Sequence, residues 1–193
     1  MQELIQKIGQ GDQKACRILY DKFSSAMYSI CLRYAKNDMD AVDLLQDSFV
    51  KIFNHIHKLE NADVLPAWIK KITINTCLKY IESNNKIKWE EFDDKIQLHK
   101  MDSDHQDEFE QEYAQQIQSI QNAINDLPEK YKIVFNLHVY DDYTHEEIAE
   151  LLGLVSSTVR SQYMRAKQKL IQSLNQNKSN GRSSQGLIAA ALL

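Results

Sequence analysis

Toward its C-terminal end the chain runs Thr144-His145-Glu146-Glu147-Ile148-Ala149-Glu150-Leu151-Leu152-Gly153-Leu154-Val155-Ser156-Ser157-Thr158-Val159-Arg160-Ser161. Thr144 followed three residues later by Glu147 is the mark of a capping box, in which each side chain satisfies the other's backbone N–H at a helix start. Ile148, Ala149 and Leu152 then recur at helical spacing and give a short helix one apolar face. Gly153 stands where the chain must turn, and glycine takes up a left-handed conformation without steric cost. Ser156 or Ser157 supplies the next N-cap, and Val159, Tyr163, Ala166 and Leu170 form the inner stripe of a second helix. Two helices joined by a tight glycine turn make a helix-turn-helix.

At 3.6 residues per turn, Ser157, Ser161, Met164, Arg165 and Gln168 fall on the side of the second helix away from the core, with Arg160 and Lys169 on its flanks. Short hydroxyls let a helix approach a groove closely, while arginine reaches phosphates or guanine edges. A recognition helix in the major groove needs both. Upstream, Ile117, Ile120 and Ile124 mark a helix over residues 112–125, and Pro128 opens another with Tyr131, Val134, Phe135 and His138 inward, ended by Asp141 and Asp142.

The N-terminal half is helical by the same reading. Gly11-Asp12 places an N-cap before Ala15, Leu19, Phe23, Met27, Ile30 and Tyr34. Residues 38–56 put Val42, Leu45, Phe49, Ile52, Phe53 and Ile56 on one stripe and Asp40, Asp43, Gln46 and Asp47 opposite. Those acids suit either the helix macrodipole or docking of a basic partner helix. A loop over 59–65 leads to Pro66 and a helix over 67–83, with Trp68, Ile69, Ile72, Thr76 and Tyr80 on one side and Lys70, Lys71, Asn75 and Lys79 on the rest. Cations and amides beside an aromatic ring can grip a phosphate backbone and stack bases; lysines on a helix face are also ordinary solubilising groups.

With only 5 Gly and 2 Pro in 193 residues, the chain lacks the turn chemistry of a sandwich or barrel, so the fold class is all-α. Cys16, Cys31 and Cys77 show no Cys-x-x-Cys pair, and the N-terminus has no signal-peptide pattern, which points to a reduced, cytoplasmic protein. The longest apolar run, residues 187–193, is far short of the roughly 20 residues that span a bilayer, so no membrane insertion is expected.

A formal net charge of -4 argues at first against nucleic acid. Its distribution argues otherwise. Residues 90–112 carry ten acids and two lysines, whereas residues 151–193 carry six Lys/Arg and no acid. The acidic stretch has no sustained apolar period and reads as a mobile linker over 89–112, either plain or competing with DNA phosphates for a basic face. Four parts follow: a helical domain over 1–88, the linker, a helix-turn-helix domain over 113–175, and a tail over 176–193 expected to be disordered.

These motifs resemble the sigma factors of bacterial RNA polymerase, in particular their compact two-domain extracytoplasmic-function (ECF) group, within the sigma-70 family. Asp40-Ala41-Val42-Asp43-Leu44-Leu45-Gln46-Asp47-Ser48-Phe49 is similar to the family's core-binding helix. Ala67-Trp68-Ile69-Lys70-Lys71-Ile72 with Asn75 is similar to its promoter-melting helix. Leu127-Pro128-Glu129-Lys130-Tyr131 and the stretch from Glu147 through Arg165-Ala166 resemble its second DNA-binding domain. The resemblance implies a promoter-recognition subunit with no catalysis and no cofactor or metal. Asp40, Asp43, Gln46, Asp47 and Phe49 would dock on the clamp helices of the largest polymerase subunit. Trp68, Lys70, Lys71, Asn75 and Lys79, with the loop 59–65, would take the minus-ten element of promoter DNA. Ser157, Thr158, Arg160, Ser161, Arg165 and Lys169 would read the minus-35 duplex. An inhibitory anti-sigma partner is also compatible with the resemblance.

Two other classes compete. A helix-turn-helix regulator would bind operator DNA alone, its N-terminal half sensing or dimerising. An enzyme would need a site, and His55-x-His57 points its two imidazoles about 200° apart on a helix, with no phosphate loop or nucleophile motif elsewhere.

Overall fold

The computed structural model describes residues 1–84 and 110–178, with side chains placed for 1–84 and 117–175. Within these residues the secondary structure is helical, without a strand. The chain divides into two compact units, Met1–Ile87 and Lys88–Leu193. Most of the acidic stretch 89–112 and nearly all of the tail 176–193 lie outside the described residues; the helix placed at 112–125 begins earlier, at Glu110.

The first unit contains α1 (Gln2–Gly9), α2 (Gln13–Tyr34), α3 (Asp38–His55), short 3-10 turns at Ile56–Lys58 and Ala62–Val64, and α4 (Leu65–Asn84). Sequence periodicity did not reveal α1, whose Ile5 and Ile8 are buried as it packs on α2 and on the turn after α3. Asp12 caps α2, its Oδ1 accepting from the Lys14 and Ala15 N–H groups at 2.8 and 3.2 Å. Asn37 caps α3 through Asp40 N–H at 2.9 Å. α4 opens at Leu65, one residue before Pro66, whose missing N–H falls among the donors a first turn leaves unbonded.

Helices α2, α3 and α4 pack against one another around Leu19, Ile52, Ile56, Leu65, Ile69 and Ile74, all wholly buried. Each such side chain contributes about 1.5–3 kcal/mol of apolar burial. The inner stripe of α3 keeps Leu45, Phe49, Ile52 and Ile56 as expected but extends to the side away from Val42. Ala41, Leu44, Leu45, Ser48, Phe49 and Ile52 face the core, while Val42 is 50% exposed. Ser48 can be buried because its hydroxyl donates to the Leu44 carbonyl at 2.7 Å. Ala41, Leu44 and Ser48 thus widen the buried face beyond the expected stripe. On α4, Ile69 and Thr76 are buried, whereas Trp68, Ile72 and Tyr80 are half-buried.

The second unit contains α5 (Glu110–Asn125), α6 (Glu129–Val139), α7 (His145–Leu152) and α8 (Ser156–Lys178). Ala123, Ile124, Leu127, Phe135, Ala166, Leu170 and Leu174 form one apolar cluster, with Tyr131 and Tyr163 against it. Ile148, Val159, Val134 and Leu137 are also wholly buried. The capping box forms as the sequence requires: Thr144 Oγ1 accepts from Glu147 N–H at 3.2 Å, and Glu147 Oε2 accepts from Thr144 N–H at 2.8 Å. Gly153 turns the chain at φ 66°. α8 begins at Ser156, where the Val155 carbonyl accepts from Thr158 and Val159 N–H groups at 3.0 and 3.3 Å.

Candidate nucleic-acid interface

Between α3 and α4 lies a cleft of about 330 Å³, lined by Lys51 and His55 of α3, Lys58 of the following turn, and Trp68, Ile72, Asn75, Thr76 and Lys79 of α4. Trp68 and Ile72 give it an apolar wall, and no carboxylate lines it, so its local field is positive. Lys51 Nζ donates to Thr76 Oγ1 at 3.1 Å, and the Thr76 hydroxyl donates in turn to the Ile72 carbonyl at 2.9 Å. His55 Nδ1 lies 2.8 Å from the Lys51 carbonyl; a carbonyl only accepts, so Nδ1 carries a hydrogen. Cations around one indole can hold a phosphate chain while a base rests on the ring.

Of the residues expected at the minus-ten element, the structure brings Trp68, Asn75 and Lys79 together here. Lys70 and Lys71 point elsewhere on α4 and do not line the cleft, nor does any residue of 59–65. In that loop the Asn61 side chain is engaged locally, accepting from Asp63 N–H at 2.8 Å. Lys51 and Lys58 escaped the sequence reading, and His55 entered it only as a poor metal ligand. Their signal was the four-residue spacing of Lys51 and His55 at the end of α3, but only the packing of α3 on α4 joins them to Trp68 and Asn75.

The outer face of α3 carries Asp43, Gln46 and Asp47, all exposed. Met39, Val42 and Val50 stand on the same stripe at 76%, 50% and 52% exposure, so acids and apolar side chains alternate along one face. Asp40 is committed inward: its Oδ2 accepts from the Tyr80 hydroxyl and from Asn37 Nδ2. Phe49 is buried at 3% exposure, its ring centroid 4.7 Å from that of Tyr20. It underlies this face rather than being displayed on it.

In the second unit, Ser157, Arg160 and Lys169 are exposed on α8, and Thr158, Ser161 and Arg165 are half-buried. Ser161 Oγ donates to the Ser157 carbonyl at 2.9 Å, so toward a ligand it presents an acceptor. Arg160 Nη1 donates to Glu146 Oε1 of α7 at 3.2 Å, a contact across the turn that the sequence did not disclose. Gln162, absent from the expected inner stripe, is buried.

Behind α8, the His138 and His145 rings stack with centroids 4.3 Å apart and both pack against Tyr163. Burial holds the His145 pKa below the ordinary histidine value, with His138 as the next contributor. Among the described residues no group of three or more His, Cys, Asp or Glu side chains is placed to hold a metal ion, and no helix is long and apolar enough to cross a membrane.

The signature of Sigma-70 region 2 matches residues 19–87, which hold the cleft and the acidic stripe. That of Sigma-70 region 4 matches residues 117–170, which hold the helix-turn-helix. Together they take in more than half of the chain. The chain belongs to the sigma-70 family of RNA polymerase sigma factors, in its ECF group. This is a family of polymerase-associated initiation factors and not a known enzyme class. Among sigma factors, the chain is 29% identical over 140 residues to RNA polymerase sigma factor SigV of Bacillus subtilis (strain 168), covering 72% of this chain and 78% of that one. It is 26% identical over 178 residues to the ECF RNA polymerase sigma-E factor of Haemophilus influenzae, covering 88% and 92%. Two solved structures share the fold at 18% identity. The sigma factor RpoE in complex with the anti-sigma factor NepR, from Bartonella quintana, gives a TM-score of 0.53 over 82% of this chain and 96% of that one. CnrH in complex with the cytosolic domain of CnrY gives 0.51 over 89% and 95%.

Proposed function

We infer that this chain binds RNA polymerase core in the cytoplasm and directs it to promoters, itself catalysing no reaction. In this reading residues 1–88 dock on the clamp helices of the largest subunit and hold the melted minus-ten strand, while residues 113–175 read the minus-35 duplex. Asp43, Gln46 and Asp47, with Met39, Val42 and Val50 among them, would meet a basic partner helix. Asp40 and Phe49 would shape that face from within. Trp68, Asn75 and Lys79, with Lys51, His55 and Lys58, would take the single strand; Lys70 and Lys71 would contribute long-range charge. Ser157, Thr158, Arg160, Ser161, Arg165 and Lys169 would face the duplex. An anti-sigma protein is the further class of partner this reading admits, as in the complexes of RpoE with NepR and of CnrH with CnrY.

The observation that carries the reading is the pairing, within one chain, of a carboxylate-free cleft containing an indole and a helix-turn-helix whose second helix bears no acid. A site for single-stranded nucleic acid and one for duplex are both needed by a factor that opens promoters, whereas an operator-binding regulator needs only the second. The test is promoter-fragment binding by fluorescence anisotropy with and without polymerase core. Tight sequence-specific binding only when core is present supports initiation. Stable binding of a symmetric dimer to duplex without core supports the regulator instead.

A further inference from the structure

Cys31 of α2 and Cys77 of α4 lie against each other in the interior of the first unit, each wholly buried. Two successive contacts fix this register. Thr73 Oγ1 donates to Met27 Sδ at 3.2 Å, and four residues further along both helices Cys31 and Cys77 meet thiol to thiol. A step of four in the same direction on each helix is one turn along a parallel pair, so both contacts belong to one continuous α2–α4 seam. The hydrogen bond from Cys77 holds the Cys31 pKa below the usual thiol value although burial opposes it. Cys16 differs: burial and Asp12 push its pKa up, and on the same helix it stands about 22 Å from Cys31, out of bridging range.

We propose that Cys31 and Cys77 are an oxidisable dithiol, a modification site that closes as a disulfide between α2 and α4. The oxidant class is a hydroperoxide, for which hydrogen peroxide is small enough to reach the pair during local opening. The Cys31 thiolate attacks one peroxide oxygen, the O–O bond breaks, and sulfenic acid and a first water result. Cys77 sulfur then attacks Cys31 sulfur, the S–S bond forms, and the sulfenic oxygen leaves as a second water. Two thiols and one peroxide thus give one disulfide and two waters, two electrons passing from sulfur to oxygen. Cys77 adjoins Thr76 of the cleft, so the bond would tie the helix bearing Trp68, Asn75 and Thr76 covalently to α2. In a reducing compartment thiol exchange would reopen it.

The test treats the full-length native protein with hydrogen peroxide, then denatures it, alkylates the remaining thiols with N-ethylmaleimide and maps the peptides by mass spectrometry. The expected result is a cross-linked peptide pair joining Cys31 to Cys77, lighter by two hydrogens, with Cys16 alkylated and the pair restored by dithiothreitol. The oxidised protein should also unfold several degrees higher, because the cross-link restricts the unfolded chain. Cys77→Ala should give no such pair, and since the decisive mapping is on the unsubstituted chain, its folding does not limit the test. Three alkylated thiols after a treatment that oxidises free glutathione would overturn the proposal, as would cross-linking through Cys16.

Discussion

Lys51 and Thr76 meet across the α3–α4 cleft, the lysine ammonium donating to the threonine hydroxyl oxygen at 3.1 Å. The partner is neutral and no carboxylate lines the cleft, so the lysine charge is available to a phosphate. Lys51→Ala should therefore weaken binding of single-stranded minus-ten DNA by the chain assembled with core. The slope of log affinity against log salt should become shallower by about 0.7 per lost phosphate contact. Binding to minus-35 duplex should not change. Salt titrations with the two probes check this, and an unchanged single-strand slope would remove Lys51 from the interface.

The Glu146–Arg160 ion pair spans the helix-turn-helix at 3.2 Å with both side chains more than half exposed, so it contributes little to stability. Its effect lies in charge at the face proposed to meet duplex. Glu146→Gln should raise affinity for any duplex at low salt and steepen the salt dependence by about 0.9. Arg160→Ala should cost about 1–3 kcal/mol on the preferred minus-35 sequence if the guanidinium reads a base. Equal loss on every sequence would mark a phosphate contact instead.

His145 gives the second unit a pH dependence whose sign is fixed. Its folded pKa is lowered, chiefly by burial and then by the His138 ring, while neighbouring Glu146 opposes this and Arg160 adds to it. A histidine with a lowered folded pKa contributes stability above its unfolded value of about 6.5, and that contribution is lost as pH falls toward the folded pKa. Its buried Nε2 has no hydrogen-bond partner, in keeping with a neutral ring. Thermal unfolding should show the midpoint dropping between pH 7 and pH 5.5, with a smaller drop in His145→Gln. An equal drop in both would place the titration elsewhere.

What could be seen in the sequence was what is local. Thr144 with Glu147, Asp12 before α2, and Gly153 at the turn are each decided by a few neighbouring residues, and all three form as expected. On α3 the expected stripe holds at Leu45, Phe49, Ile52 and Ile56 and fails at Val42, because the buried face also takes in Ala41 and Ser48, which carry little hydrophobic signal. Half of the cleft was legible, since Trp68, Asn75 and Lys79 share one helix. Lys51, His55 and Lys58 reach it only through tertiary packing. His138 and His145, seven positions apart with no ligand spacing, gave no sign of stacking because their contact depends on how α6 meets α7.

Asp47 stands exposed on the outer stripe of α3. Asp47→Lys should reverse one charge on the proposed docking face without touching the core, and so abolish association with polymerase core while leaving thermal stability near its original value. Co-purification with core together with an unfolding curve checks both halves. Retained association would move the dock off this stripe.

The most direct measurement is run-off transcription with purified polymerase core on promoter templates, with and without this chain. Defined transcripts should appear only when the chain is added, and should be lost with Asp47→Lys. Core that initiates equally well without the chain, or is repressed by it, would contradict the account.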